Sequence, residues 1–526
     1  MSAANRQIAR AAGVVMAGFV LSNLTGLLRQ VLVSSRFGTS AEIDAFNAAA
    51  RLPETLFMLV AGGALASAFI PTFTSLLESK KTAHTEKANR DEAWLLASAI
   101  LNLISLILLG LSALAFLFAP QIVAIVLAPS FPPEQQALTA QILRVLLLSP
   151  VIFGASGLLM AVLNTHQHFL LPALAPTLHW VGWIIGVIFL APGHGVFGLA
   201  WGAVLGAGLH LVVQAPGLLK LRPRYQLTLG LHLASVREVA RLMGPRLLGV
   251  AVVQLNFWIN VVLASGMPEG SLTALILAFA VMTMPQVVIA QAIAIAALPT
   301  FSAQVARGEL PAMRTSLAAT LRGVLLLSIP AMIGLILLRE PVISILFERG
   351  EFGPDSTALT AWALLWYTSG LVAHSVVEIV SRAFYALHDT RTPVVIGGLT
   401  MGLNVLLSLA FAALFRQWGW FPHGGLALAN TLATTLEMVA LLILMRRRLN
   451  GLEGRRIAAA AFTGAAAAAV MGAAIVFWLN LELSNTWWVA LGGIGLGGVL
   501  YGLALWVMRV DEIGLIIGEF RRRFTR

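Results

Sequence analysis

The stretch from Leu21 to Pro71 reads as two long apolar helices joined by a short turn, with Asn23, Arg29, Asp44, Arg51 and Glu54 placed inside the apolar run. An ionisable side chain in a membrane-spanning helix costs about 2.5–3.5 kcal/mol on insertion scales, so such helices normally exclude them. Four in one hairpin predict a polar cavity enclosed by the other helices. Ser22, Thr25, Arg29 and Arg36 recur at helical spacing and stripe one face of the first helix. The alternative is that Arg29 and Arg51 lie near the outer interface and extend their guanidinium groups to water.

Other polar groups interrupt apolar runs farther along. Arg144, Arg322, Glu378, Arg382 and Glu437 are ionisable; Gln254, Asn256 and Asn260 make one side of the seventh run polar. Glu378 and Arg382 are four residues apart and can pair along one helix face, as a structural neutraliser or as part of a coupling-ion site. The three amides fit interhelical hydrogen bonding as well as cavity lining. Enzymatic chemistry is not expected. No Ser/His/Asp or paired-carboxylate arrangement stands out, no GxxxxGK[ST] phosphate loop is present, and the chain has no cysteine. His166 and His168 read as a solvated loop, and no metal site is expected. Gly493 to Gly498 matches a dinucleotide fingerprint by letters alone, without the preceding strand, and reads as helix packing.

The elements that must position these residues are membrane spans. Apolar residues make up 59% of the chain, charged residues 11%, and mean hydropathy is +0.88, outside the range of a soluble domain. Fourteen apolar runs are long enough to cross a bilayer: 8–35, 44–77, 92–118, 137–164, 172–191, 196–219, 243–265, 271–305, 315–338, 356–387, 393–415, 424–445, 457–479 and 486–508. The net charge of +11 sits in short clusters between them, which argues for membrane topology and against nucleic-acid binding. Alternate loops hold 24 of the 34 Lys and Arg, and Arg36, Arg339, Arg349 and Arg416 are the four in loops on the opposite side, so both termini are expected in the cytoplasm. The first run lacks a small-residue cleavage site and is read as a retained span.

Ala64–Phe73, ending in Ile-Pro-Thr-Phe, is echoed six spans later by Ala292–Phe301, ending in Leu-Pro-Thr-Phe. The turn around Asn164–Pro172 is likewise echoed at Leu387–Pro393. An even offset predicts two parallel repeats around a midline site worked by alternating access. Gly182 and Gly186, then Gly198, Gly202 and Gly206, are spaced for close helix contact. Trp478, Leu481, Leu483, Trp487 and Trp488 read as an interfacial belt or, more sharply, as a surface for a long lipid tail.

Several stretches in order resemble the MurJ/MviN family, the lipid II flippases of the MOP transporter superfamily. They are Gly26-Leu-Leu-Arg29, Phe37-Gly38, Asp44-Ala-Phe46, Arg51-Leu-Pro53, Ala68-Phe-Ile-Pro71, Leu163-Asn164 and Pro172-Ala-Leu-Ala-Pro176. Met243-Gly-Pro245, Leu346 to Phe352, Ala383-Phe-Tyr385 and Asp389-Thr-Arg-Thr-Pro393 continue the series. The resemblance implies an all-α integral membrane protein of fourteen helices, two six-helix lobes in a V around a cationic cavity plus two C-terminal helices that build a groove for a polyprenyl tail. It implies movement of undecaprenyl-diphosphate-linked disaccharide-pentapeptide from the inner to the outer leaflet. Arginines of helices 1, 2 and 8 hold the head group in the family; here Arg29 and Arg51 match, but Asn23, Phe57 and Ala280 stand at arginine positions and Gly62 at an acidic one.

The expected organisation is an N-lobe over 1–225, a C-lobe over 226–450, and the last two spans with a basic tail over 451–526. Arg29 and Arg51 are the expected anion-binding groups, Asp44 a gating or orienting partner, and Asn23 and Ser22 neutral contacts to the head group. A guanidinium suits that task because it meets phosphate oxygens bidentately and stays charged in a low dielectric. The expected setting is the bacterial inner membrane, with a lipid-linked substrate, membrane lipids and cell-wall synthesis proteins as partners. No cofactor is expected, and the drive is the membrane potential or an ion gradient. Two alternatives remain at this point: an exporter of a different lipid or amphiphile, and a non-transporting scaffold using basic loops such as Arg446–Arg448 and the Arg521–Arg523 tail.

Overall fold

The computed structural model describes residues 3–60, 64–78, 83–481 and 484–510, as helices joined by turns and irregular segments. Gly62, Leu483 and the Arg521–Arg523 tail lie outside the described residues. The chain divides into two compact units, 1–269 and 270–526.

Unit 1 holds α1 (Ala3–Phe37), α2 (Ala41–Val60), α3 (Ala64–Glu78), α4 (Ala83–Leu117), α5 (Pro133–Leu146), α6 (Leu148–Thr165), α7 (Leu170–Ile185), α8 (Val196–Val212) and α9 (Ala234–Ser265). Unit 2 holds α10 (Ser271–Gln286), α11 (Ala292–Ala306), α12 (Leu310–Leu337), α13 (Pro354–Thr368), α14 (Leu371–Ala386), α15 (Arg391–Gln417), α16 (His423–Arg448), α17 (Gly454–Leu479) and α18 (Thr486–Val507). Among the described residues, eleven helical stretches are long and apolar enough to cross a membrane, and twelve if the pair α13–α14, bent by 47°, counts as one span. The molecule is thus an all-helical, multi-pass membrane protein. Of the fourteen expected spans, 44–77 is interrupted by residues 61–63, outside the description, and 243–265 lies within α9.

Glycine sets the packing of α7 on α8. A Cβ on Gly182 would lie 2.2 Å from the Gly206 Cα, and one on Gly186 would lie 2.6 Å from the Gly202 Cα, so the two backbones touch. α1 meets α7 in the same way, since a Cβ on Gly18 would fall 2.7 Å from the Ala173 Cβ. In unit 2, Gly493 and Gly497 sit inside α18 against Leu338 and Ile475, so the fingerprint-like glycines serve helix contact.

The bend between α13 and α14 frees backbone carbonyls in mid-span. The Thr431 hydroxyl of α16 donates to the Trp366 carbonyl at 2.6 Å and satisfies one of them. Turns after α6 and α14 are built alike: His168 N–H donates to the Leu163 carbonyl at 2.9 Å, Asp389 N–H to the Phe384 carbonyl at 3.0 Å, and Gln167 and His388 take φ of 60° and 58°.

Candidate functional site

The site is built on α1, α2, α7 and α9, all within unit 1. Gly26 lets α1 approach α7, because a Cβ there would meet the Trp180 Nε1 at 3.3 Å. One turn on, the Arg29 guanidinium carbon lies 4.5 Å from the Trp180 ring centre and 4.8 Å from that of Trp183. A desolvated guanidinium over an indole face gains about 2 kcal/mol, which offsets part of its cost in an apolar span. The indoles are themselves held. Trp183 Nε1–H donates to His179 Nε2 at 3.2 Å, and Phe46 of α2 meets the Trp183 ring edge-on at 5.3 Å. Among the described residues no carboxylate forms an ion pair with Arg29, and its buried Nε has no hydrogen-bond partner.

Arg51 is placed differently. Its Nη1 donates to Glu54 Oε2 at 3.1 Å, and its guanidinium lies 5.5 Å from the Phe257 ring of α9. Thr55, one turn on, donates to the Arg51 carbonyl and accepts the Trp258 indole N–H at 2.7 Å. Glu54 also attracts Arg29 through space, without forming an ion pair with it. Both guanidinium groups rest on aromatic faces of neighbouring helices.

The remaining expected residues are not all gathered here. Asn23 is exposed on α1, and its Nδ2 donates back to the Phe19 carbonyl at 2.8 Å. Ser22 is half-buried on the same helix. Asp44 is buried at the start of α2, two helical turns from Arg51. It lines a cleft with Glu42, Glu134, Gln135 and Glu269, where Ala41 N–H donates to Glu269 Oε1 at 2.7 Å. In unit 2 the Glu378–Arg382 pair forms, with Arg382 Nη2 and Nε donating to one carboxylate oxygen at 2.9 and 3.3 Å. Arg144 lies over Phe116 and donates to its carbonyl, closing the end of α4.

Phe57, at an arginine position of the resemblance, packs on Phe153 with ring centres 4.6 Å apart. Phe153 in turn meets His179 at 4.9 Å and His210 at 5.3 Å. Behind them Ser156 Oγ lies 2.6 Å from His210 Nδ1, and Gln214 Nε2 donates to Ser156 Oγ at 2.7 Å. Sequence reasoning missed Trp180, Trp183, His179 and His210. Histidines inside apolar runs were the available signal.

The chain can now be set beside known proteins. The family model described as "Lipid II flippase MurJ" matches residues 33–492. A lipid II flippase MurJ of Burkholderia cenocepacia is 30% identical over 445 residues, 83% of each chain. A probable one of Vibrio cholerae is 28% identical over 514 residues, covering 94% of this chain and 95% of the relative. Among solved structures, "Lipid II flippase MurJ, inward closed conformation" superposes with a TM-score of 0.80 at 24% identity, over 95% of this chain and 99% of that one. An inward-facing multidrug resistance MATE transporter of the MOP superfamily gives 0.63 at 16% identity, over 82% and 96%. At those identities the two structures speak for the fold. The relatives favour the flippase expectation over the exporter and scaffold alternatives. A match that begins in α1 and ends in α18, with a relative at this identity aligned over most of both chains, places the chain in the lipid II flippase MurJ family.

Proposed function

We propose that this protein flips lipid II, the undecaprenyl-diphosphate-linked peptidoglycan precursor, from the inner to the outer leaflet by alternating access. The observation that carries the reading is Arg29, a guanidinium held between two indoles with no carboxylate paired to it. Its donors are free to meet a diphosphate, and charge-assisted bonds of that kind contribute about 1.5–3 kcal/mol each. Arg51 is the second anion contact, released in part from Glu54 when the head group arrives. Ser22 offers a neutral contact on the Arg29 face of α1 and Asn23 one on the adjoining face, and Asp44 fixes the entry end of α2.

The finer architecture belongs to this reading. Fourteen spans form two parallel repeats and a C-terminal pair, with lobes over 1–225 and 226–450 and the extra helices and basic tail over 451–526. The matching turns after α6 and α14 and the shared Pro-Thr-Phe of α3 and α11 support the repeat. The protein lies in the bacterial inner membrane with both termini cytoplasmic, as its basic loops suggest. It is a transporter without catalytic chemistry or cofactor, and cell-wall synthesis proteins take up its product. The membrane potential supplies drive at roughly 2.3 kcal/mol per unit charge per 100 mV. The Glu378–Arg382 pair neutralises itself within α14. The test is translocation of lipid II by the purified protein in liposomes. Loss of transport in Arg29→Ala is expected, and transport at the wild-type rate would remove the reading.

A further inference from the structure

Between α8 and α9 the chain runs without regular structure over 222–230 and lies along α4. Asn102 of α4 grips it: Nδ2 donates to the Gln226 carbonyl at 3.1 Å and the Thr228 carbonyl at 2.8 Å, and Oδ1 accepts the Tyr225 hydroxyl at 2.8 Å. Ser98 Oγ accepts the Gln226 N–H at 3.1 Å, and Arg224 pairs with Asp91. Gly230, at φ +55°, presses on Ala99, where a Cβ would come within 2.7 Å of the alanine methyl. The opposite side of this strap is apolar and bare: Tyr225 is 59% exposed, Leu227 89% and Leu231 63%.

The depth of the strap gives that bareness a meaning. Asp91 and Glu92 are the last charged residues of α4, and its apolar run follows them. At about 1.5 Å per residue, Ser98 lies roughly 10 Å and Asn102 roughly 16 Å farther along the helix. The head-group layer is only about 5–8 Å thick in each leaflet, so the strap is seated at the edge of the hydrocarbon. Backbone groups there need partners inside the protein, which accounts for Asn102 and Ser98 in the apolar part of α4. The bare side continues the apolar surface of α4, where Leu106 and Leu109 are each 56% exposed. Lys220, Arg222, Arg237 and Arg241 flank it, with Glu238 the one acidic residue from 220 to 241.

We propose that the 222–231 strap is a lipid-binding surface: Tyr225, Leu227, Leu229 and Leu231 enter the acyl chains of the leaflet at the Asp91 end of α4, and the flanking basic residues contact anionic head groups. The connection between α8 and α9 is then held in the membrane, seated on Asn102. The role is separate from head-group capture at Arg29 and stands whether or not that reading does.

The chain has no native cysteine, so single-cysteine variants carry a nitroxide without background. Leu227→Cys and Leu229→Cys are compared with Leu106→Cys on the lipid face of α4 and Glu351→Cys in an exposed turn, in phosphatidylcholine vesicles with and without phosphatidylglycerol. The strap labels are expected to relax strongly with oxygen and weakly with a water-soluble nickel chelate, as at Leu106, and more so with phosphatidylglycerol present. Nickel accessibility like that of Glu351 would overturn the proposal, as would shielding from both reagents, which would mean cover by protein. No response to phosphatidylglycerol would overturn the head-group part. Asn102→Leu is expected to shift both strap labels toward nickel, and an unchanged reading would overturn the seat assigned to Asn102.

Discussion

Arg29 of α1 and Arg382 of α14 are the same residue type in two membrane-embedded helices, and the protein treats them oppositely. Arg382 gives two of its donors to a carboxylate one turn away on its own helix. Arg29 is flanked by indoles, which steady a cation without spending its hydrogen-bond donors. The first arrangement cancels a charge; the second keeps it available. The difference teaches that the count of charged residues in a span says little about function until the partner is known. Arg51 stands between the two, resting on Phe257 while paired with a half-exposed Glu54.

Substitution at Arg29 should have the largest effect. Arg29→Ala is expected to weaken head-group capture roughly tenfold to a hundredfold, from the loss of a charge-assisted bond, with a matching fall in the initial rate in liposomes. Arg29→Lys should recover part of that, since an ammonium keeps the charge but not the planar fork. Next, Trp180→Leu with Trp183→Leu is expected to cost several-fold in apparent affinity, from cation–π terms of about 0.5–2 kcal/mol. If the double variant transports as well as wild type, the indoles are mere packing and the comparison fails. Glu54→Gln should act in the other direction. Freeing Arg51 is expected to raise lipid affinity by about two- to fivefold, in line with a partly exposed ion pair, read as a lower KM. In unit 2, Glu378→Gln should leave the transport rate alone and lower the melting temperature, because it strands Arg382. A rate loss with unchanged stability would instead assign the pair to ion coupling.

The smallest effect concerns a carboxylate in a turn. Asp389 accepts the Thr392 N–H at 3.0 Å and the Thr392 hydroxyl at 2.8 Å, and these bonds hold its pKa below the usual carboxylate value. A depressed pKa means stabilisation present above about pH 3.9, the unfolded value, and lost as pH falls through the folded one. Asp389→Asn should therefore melt slightly lower at neutral pH, the difference closing in strong acid.

Most of the spans were legible because the bilayer demands long apolar runs, eleven or twelve against the fourteen expected, and so were the odd residues Arg29, Arg51, Glu378 and Arg382. What surrounds Arg29 was not. Whether Trp180 and Trp183 face lipid or a cation depends on how closely α1 meets α7, which Gly18 and Gly26 decide across more than a hundred residues of sequence. The substitution of Phe57 for an expected arginine could be seen, but not that Phe153, His179 and His210 fill the space behind it. Asp44 was grouped with the arginines by its helix, and the structure sets it two turns away among carboxylates. Periodicity reports which residues share a face of one helix; it is silent about what the next helix brings.

The 47° knee between α13 and α14 has a consequence for how unit 2 can move. A kink whose loose carbonyl is left to itself would act as a joint, opening and closing with thermal motion. Here the Thr431 hydroxyl is pinned to that carbonyl, and Gly370 leaves just enough room for it. The corner therefore carries a brace from the neighbouring helix, and opening it there costs that hydrogen bond, about 0.5–1.5 kcal/mol.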